Sequence, residues 1–390
     1  MLTSLAYIFL IGILVGSIFN KFRLPRLLGM ILTGIIIGPY VFNILDGSIL
    51  AISTDLRKLA LIIILTRAGL ALDFGDLKKV GRAAILMCFL PACFEILAMV
   101  MIAPKLLGIS TLDAAIMGAV VAAVSPAVIV PRMLNLIEKK CGTDKSIPQL
   151  IMAGASVDDV FVIVLFTSFI GLAQGQKMSA MSFAQIPVSI IIGILAGIVL
   201  GGCLVLFFKR ININDTMKVI ILLSVSFLLV ALEDKLKGIV PISGLIAIMS
   251  IGVALQKRDS KLAKSISIKF SELWIGAEVV LFVLVGATVD INYAISAGSA
   301  AVILIFIVLI FRMIGVYCCL IKSDLSIKER IFCMIAYTPK ATVQAAIGAI
   351  PLSMGLPCGK IVLTVAVLSI LVTAPLGAFF IDITYKKLLQ

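Results

Sequence analysis

The feature that most constrains this chain is the repetition of apolar blocks about 20 residues long, separated by short charged connections, along all 390 residues. A bilayer core of roughly 30 Å demands a helix of that length, because backbone inside it must satisfy its own hydrogen bonds. Composition removes the soluble alternative. Hydrophobic residues make up 62% and charged residues 14%, against roughly 45–50% apolar in a soluble domain. An all-α polytopic membrane protein is expected.

Thirteen transmembrane helices are expected, at 2–20, 27–45, 56–72, 80–107, 111–137, 147–173, 183–208, 216–232, 241–256, 270–288, 295–320, 327–354 and 361–385. The first block has no basic n-region and no small-residue cleavage site, so it reads as a retained helix and not a signal peptide. Lys and Arg concentrate in the odd-numbered connections and the C-terminal tail, for example Lys139, Lys140 and Lys145 or Lys257, Arg258, Lys261 and Lys264. The positive-inside rule then places the N-terminus outside and the C-terminus in the cytoplasm, as an odd number of spans requires. The formal charge of +13 is read as topology and not as a nucleic-acid surface. The absence of histidine excludes imidazole chemistry. The eight cysteines show neither metal spacing nor a disulfide framework. No phosphate-binding loop is present, which argues against an ATP-driven pump, and no cofactor is expected.

Seven charges fall deep inside apolar spans: Arg67, Arg312 and Lys340 against Glu95, Asp158, Asp159 and Glu278. Each would cost at least about 2.5–3.5 kcal/mol facing lipid, so they must face protein or a water-filled cavity and pair. Static ion pairs between helices are the plain structural reading, and Arg67 and Glu278 fit it as well as a functional one. One carboxylate remains in excess, as a site for an exchangeable monovalent cation or proton requires. The adjacent Asp158 and Asp159 point about 100° apart on a helix, so one can meet a basic residue while the other faces a cavity. Two unpaired carboxylates this close cannot both ionise cheaply, so proton and metal cation compete for one of them.

The fifth span carries Ser125-Pro126 and the twelfth Thr338-Pro339 near mid-membrane. Proline deletes a donor and frees a carbonyl in the preceding turn, so both helices are expected to be broken. Their ordinal separation is seven, an odd number, so they run in opposite directions, and the fourth to sixth spans match the eleventh to thirteenth as an inverted repeat. Freed carbonyls suit a cation, while the facing half-helix N-termini are positive.

Four motifs in order carry a family resemblance. They are Leu56-Arg57-Lys58-Leu59-Ala60-Leu61 leading to Arg67-Ala68-Gly69-Leu70-Ala71-Leu72-Asp73, Ser125-Pro126-Ala127-Val128, Ala155-Ser156-Val157-Asp158-Asp159, and Pro339-Lys340-Ala341-Thr342-Val343-Gln344-Ala345-Ala346. Together they resemble the NHA-type branch of the cation/proton antiporters over nearly the whole chain. The resemblance implies the inverted-repeat sodium/proton antiporter fold with two crossing broken helices. Residues 1–79 and 174–294 would form the dimerisation and linker helices of a homodimer, and 80–173 and 295–390 the two core halves. It also implies an elevator motion of the core, with Asp159 as the ion-binding aspartate, Asp158 as its neighbour and second sodium ligand, and Ser125 as a further ligand. Lys340 and Arg312 match the family's basic residues. Glu95 is then the expected partner of Arg312, and Asp158 that of Lys340.

The function expected is exchange of Na⁺ or Li⁺ for H⁺ across a bacterial plasma membrane in pH homeostasis, with the lipid bilayer as surroundings. The Asp pair favours electrogenic exchange, to which Arg312 and Glu95 add a fixed pair. K⁺/H⁺ exchange, a sodium-coupled organic-anion symporter, a membrane scaffold and an intramembrane aspartyl hydrolase remain as alternatives. Adjacent aspartates on one helix disfavour the hydrolase.

Overall fold

The computed structural model describes residues 1–22, 24–71, 74–174, 180–211, 213–236 and 242–389, with backbone alone at 74–80, 156, 160, 180–187, 190, 234, 292 and 294–297. Leu72 and Asp73, which close the third span and its motif, and Pro241, which opens the ninth, lie outside the described residues. Among the described residues all regular structure is helical. The helices are α1 (Leu2–Lys21), α2 (Arg26–Ile37), α3 (Gly47–Ala51), α4 (Ser53–Ala71), α5 (Phe74–Met87), α6 (Leu90–Leu107), α7 (Thr111–Ala122), α8 (Pro126–Glu138) and α9 (Ile147–Ala173). They continue as α10 (Ala180–Arg210), α11 (Asp215–Leu236), α12 (Gly244–Arg258), α13 (Ser260–Ala287), α14 (Ile291–Leu320), α15 (Ile327–Ala336), α16 (Thr342–Ile347), α17 (Ile350–Ser353) and α18 (Gly359–Leu388). Among the described residues nine helical stretches are long and apolar enough to cross a membrane, with two shorter apolar ones at Arg26–Ile37 and Thr342–Ser353.

Several expected spans are shorter or divided. The second stops at Ile37, where Gly38 turns extended and Pro39 follows. The fourth divides between α5 and α6, with Phe89 as N-cap and Pro91 in the first turn of α6, where its missing N–H costs nothing. Gly81, at φ +73°, adds a break within α5 that a residue with a Cβ would resist. The fifth span separates into α7 and α8, and the twelfth into α15, α16 and α17.

The chain divides into two compact units. The first comprises Met1–Asp55, Gly75–Ala173 and Val279–Gln390, the second Leu56–Phe74 and Gln174–Glu278. Residues 1–55 group with both expected core halves in the first unit. Glycine explains the grouping. A Cβ at Gly34 of α2 would run into the Val283 carbonyl oxygen, and one at Gly286 of α13 into the Ile31 carbonyl oxygen. The two backbones therefore touch directly.

Elsewhere in the first unit, α14 lies along α6 and α6 along α7, which in turn packs on α9. Gly315 admits Pro91 and Phe94, and Gly154 admits the Tyr337 hydroxyl at 2.5 Å from where a Cβ would stand. Helices α15, α16 and α17 all pack on α18. Met87, Ile129, Ile151, Phe332 and Tyr337 belong to one buried apolar cluster beneath these contacts. In the second unit α10 and α12 approach closely through Gly193, Gly197 and Gly201, and Gly69 of α4 meets the backbone of Met249.

Candidate ion-binding site

The site is built where the two broken helices meet. Helix α7 ends at Ala122 and α8 begins at Pro126, leaving Ala123, Val124 and Ser125 unwound. Helix α15 ends at Ala336 and α16 begins at Thr342, leaving 337–341 unwound. Inside a membrane every backbone group needs a partner, so the fate of each freed donor and acceptor matters. The Ser125 N–H donates to the Pro339 carbonyl at 2.8 Å, joining one break to the other. The Val124 N–H donates to Asp158 Oδ2 at 2.9 Å. At the second break Pro339 has no N–H to offer Ile335, and the Thr338 hydroxyl supplies that bond at 2.8 Å. The Lys340 N–H donates to Thr373 Oγ1 of α18 at 2.9 Å. Gly377 on the same helix leaves the room that Pro339 occupies, since a Cβ there would stand 2.5 Å from Pro339 Cγ.

Five of the seven deep charges converge on these breaks, all within the first unit. Arg312, fully buried, is the hub. Its Nη1 donates to Glu95 Oε2 at 2.9 Å and its Nη2 to Asp158 Oδ2 at 2.7 Å. Nε donates to the Tyr337 carbonyl at 2.8 Å, and Nη1 also to the Ala122 carbonyl. One guanidinium thus binds two carboxylates and one carbonyl from each break, which the planar five-donor fork permits and an ammonium would not. Lys340 Nζ donates to Glu95 Oε2 at 2.6 Å. The expected partition is therefore corrected. Arg312 does meet Glu95, but it also takes Asp158, and Lys340 pairs with Glu95 instead of Asp158.

Two bases then face three acids, and among the described residues the carboxylate without an ion pair is Asp159. Its Oδ1 is buried with no hydrogen-bond partner among the described residues. The same holds for Asp158 Oδ1, Glu95 Oε1 and the Ser125 hydroxyl, and for Thr342 Oγ1 and Gln344 Oε1 on α16. Unsatisfied buried oxygens of this kind are rare in native structures and call for an ion, a proton or water. Arg67 and Glu278 fall in the second unit, half-buried on α4 and α13.

A family model described as sodium/hydrogen exchanger, transmembrane, matches residues 6–387. The chain belongs to that family. Sodium/hydrogen exchanger 9B2 of Homo sapiens is 32% identical over 382 residues, spanning 94% of this chain and 70% of the relative. Sodium/hydrogen exchanger 9B1 of Homo sapiens is 32% identical over 410 residues, spanning 100% of this chain and 78% of the relative. In structure, this exchanger-family chain resembles the sodium proton antiporter MjNhaP1 from Methanocaldococcus jannaschii at pH 8, with a TM-score of 0.87 and 21% identity over 100% of this chain and 98% of that one. That likeness is one of fold. Members of the exchanger family are transporters and not enzymes. These human relatives lend no support to the expectation of a bacterial membrane.

Three neutral residues of the candidate site escape a search for buried charge. The Gln344 side chain donates from Nε2 to the carbonyls of Val121 and Ala123, at 3.0 and 2.8 Å. The Tyr337 hydroxyl donates to the Met87 carbonyl at 3.0 Å while its own carbonyl serves Arg312. Thr373 holds the Lys340 backbone. An uncharged amide at mid-span, as at Gln344, is the signal that would have found the first of them.

Proposed function

We propose that this chain is a secondary active antiporter exchanging Na⁺, or Li⁺, for H⁺, with the two ions competing for Asp159. The observation that carries the reading is the surplus carboxylate: among the described residues Asp159 alone of the three clustered acids has no basic partner, and its Oδ1 is buried with no bond to any of them. A buried, unpaired carboxylate is stable only when neutralised, so a proton or a monovalent cation must occupy it. Asp158 Oδ1 and the Ser125 hydroxyl offer further oxygens suited to a hard cation. Glu95, Arg312 and Lys340 keep the surrounding charge balanced, and Pro126, Thr338 and Pro339 hold the breaks open.

In this reading the chain crosses the membrane thirteen times with its N-terminus outside, as the distribution of Lys and Arg favours. The two broken helices belong to inverted repeats, and the halves at 80–173 and 295–390 move as an elevator core within a homodimer. Loaded carrier crosses the barrier with Asp159 neutralised by either ion, which is what obliges exchange.

Sodium-dependent fluorescence dequenching in everted vesicles tests the assignment. Asp159→Ala is expected to abolish the response with the protein still folded, and Asp158→Asn to weaken it. Full activity in Asp159→Ala would overturn the reading.

A further inference from the structure

Tyr337, the C-cap of α15, holds Arg312 twice. Its carbonyl accepts from Arg312 Nε at 2.8 Å, and its ring lies against the same guanidinium, with Cζ 5.1 Å from the ring centroid. Main chain and side chain of one residue therefore grip the guanidinium at its edge and on its face. The ring is itself fixed at its far end. In an unbroken helix the Met87 carbonyl would accept from the N–H of residue 91, but residue 91 is proline and has none. The Tyr337 hydroxyl takes the place of that donor at 3.0 Å. It reaches Met87 because Gly154 stands beside it without a side chain: a Cβ there would lie 2.5 Å from the hydroxyl oxygen. Gly154 is four residues before Asp158 on α9, so the tyrosine hydroxyl and the carboxylate bound by Arg312 lie along one face of one helix. Tyr337 and Met87 are fully buried, so bulk water does not compete for these contacts.

We propose that Tyr337 is a positioning residue that holds the Arg312 guanidinium on Asp158 and so keeps its charge off Asp159. The inference rests on Asp159 as the exchanging group. Arg312 Nη2 donates to Asp158 Oδ2 at 2.7 Å, and Asp159 is within electrostatic reach of the same guanidinium. Charge alone does not choose between the two carboxylates; the orientation of the guanidinium does. A planar fork aims its donors only as well as its plane is fixed, and the ring and carbonyl of Tyr337 fix it. Released from that grip, the guanidinium divides itself between the two aspartates. Each share spent on Asp159 makes it an internal cation that competes with Na⁺, and the apparent affinity falls with the fraction of sites left free. The hydroxyl bond to Met87 thus reaches the ion through two contacts, the ring on Arg312 and Arg312 on Asp158.

The test measures Na⁺-driven transport in proteoliposomes, with apparent KM and kcat, in the wild type, Tyr337→Phe, Tyr337→Leu and Gly154→Ala. Tyr337→Phe keeps the ring and the carbonyl and loses only the tether to Met87, so KM for Na⁺ is expected to rise about threefold with kcat little changed. Tyr337→Leu loses the ring contact as well and is expected to reach about tenfold. Gly154→Ala displaces the hydroxyl and should raise KM as Tyr337→Phe does. Added to Tyr337→Phe it should raise KM no further, because the oxygen it meets is gone. An unchanged KM in Tyr337→Phe and Gly154→Ala, with kcat or thermal midpoint lowered, would show a merely structural tyrosine and overturn the proposal. These two variants decide the matter even where Tyr337→Leu fails to fold. Absence of Na⁺-driven exchange in the wild type, or its survival in Asp159→Ala, would instead sink the reading of Asp159, while wild-type exchange with unaltered KM in the variants sinks only the role of Tyr337.

Discussion

Arg312 and Lys340 carry the same charge at the same buried level, yet their surroundings predict unequal consequences of losing them. Arg312 is bonded to Glu95, Asp158 and carbonyls from both breaks, so Arg312→Leu strands Asp158, leaves Glu95 to Lys340 alone and frees a carbonyl at each break. Removing one partner of a buried pair costs about 3–5 kcal/mol, and here the upper end is expected. Lys340→Leu leaves Glu95 still bonded to Arg312 and should cost clearly less. Thermal unfolding in detergent ranks the two, and equal losses would contradict the hub geometry. A double-mutant cycle separates the pairings directly. Lys340 and Glu95 should couple by roughly 1–3 kcal/mol and Lys340 and Asp158 by no more than about 0.5. The acids and bases themselves were legible in the sequence, because a charge in an apolar span announces itself. Their partners were not. Depth along a helix selects which residues can meet, but rotation about the axis decides which do, and Arg312 has donors enough to satisfy both carboxylates. Gln344 stands in the motif that carries the resemblance, yet neither its bonds to the first break nor those of Thr373 to Lys340 are legible there, because a neutral polar side chain does not name the backbone groups it serves.

Proline made the breaks in the fifth and twelfth spans legible, since no helix can pass it without losing a bond. The bracing between those breaks was not legible, because it depends on backbone groups that every residue carries. Glycine shows the same asymmetry. The sequence offers Gly34 as one small residue among many, but in the structure its position is fixed by the Val283 carbonyl of α13. Gly34→Ala must push α2 away from α13, and overpacking of this kind costs about 1–3 kcal/mol. Gly47→Ala meets nothing within 4 Å and should leave stability unchanged. The two variants measured side by side by thermal unfolding check the contact, and equal midpoints would show that α2 and α13 can separate freely. This packing also explains why residues 1–55 join the unit that holds the site, a grouping that span lengths and charges do not encode.

At the scale of the whole molecule, with Asp159 as the proposed exchanging group, the pairings bear on what crosses the membrane in one cycle. Exchange of two protons for one sodium ion needs a second group that gives up a proton when the cation arrives, and the natural candidate is a lysine bonded to the ion-binding carboxylates. Lys340 is bonded to Glu95 instead, and Asp158 is held by Arg312. On the proposed reading, neither bond has to break for Asp159 to trade a proton for Na⁺. The buried cluster then carries the same net charge in both loaded forms, with two bases, two paired acids and one neutralised aspartate. The arrangement therefore favours one-for-one, electroneutral exchange over the electrogenic exchange that adjacent aspartates alone suggest. In proteoliposomes at zero pH gradient, an imposed potential of about 100 mV, worth about 2.3 kcal/mol per charge moved, should neither drive Na⁺ accumulation nor change the initial rate of uptake when its sign is reversed. Sodium accumulation that follows the sign of the potential would mean that a second charge moves, and would place Lys340 back in contact with the aspartate pair during the cycle.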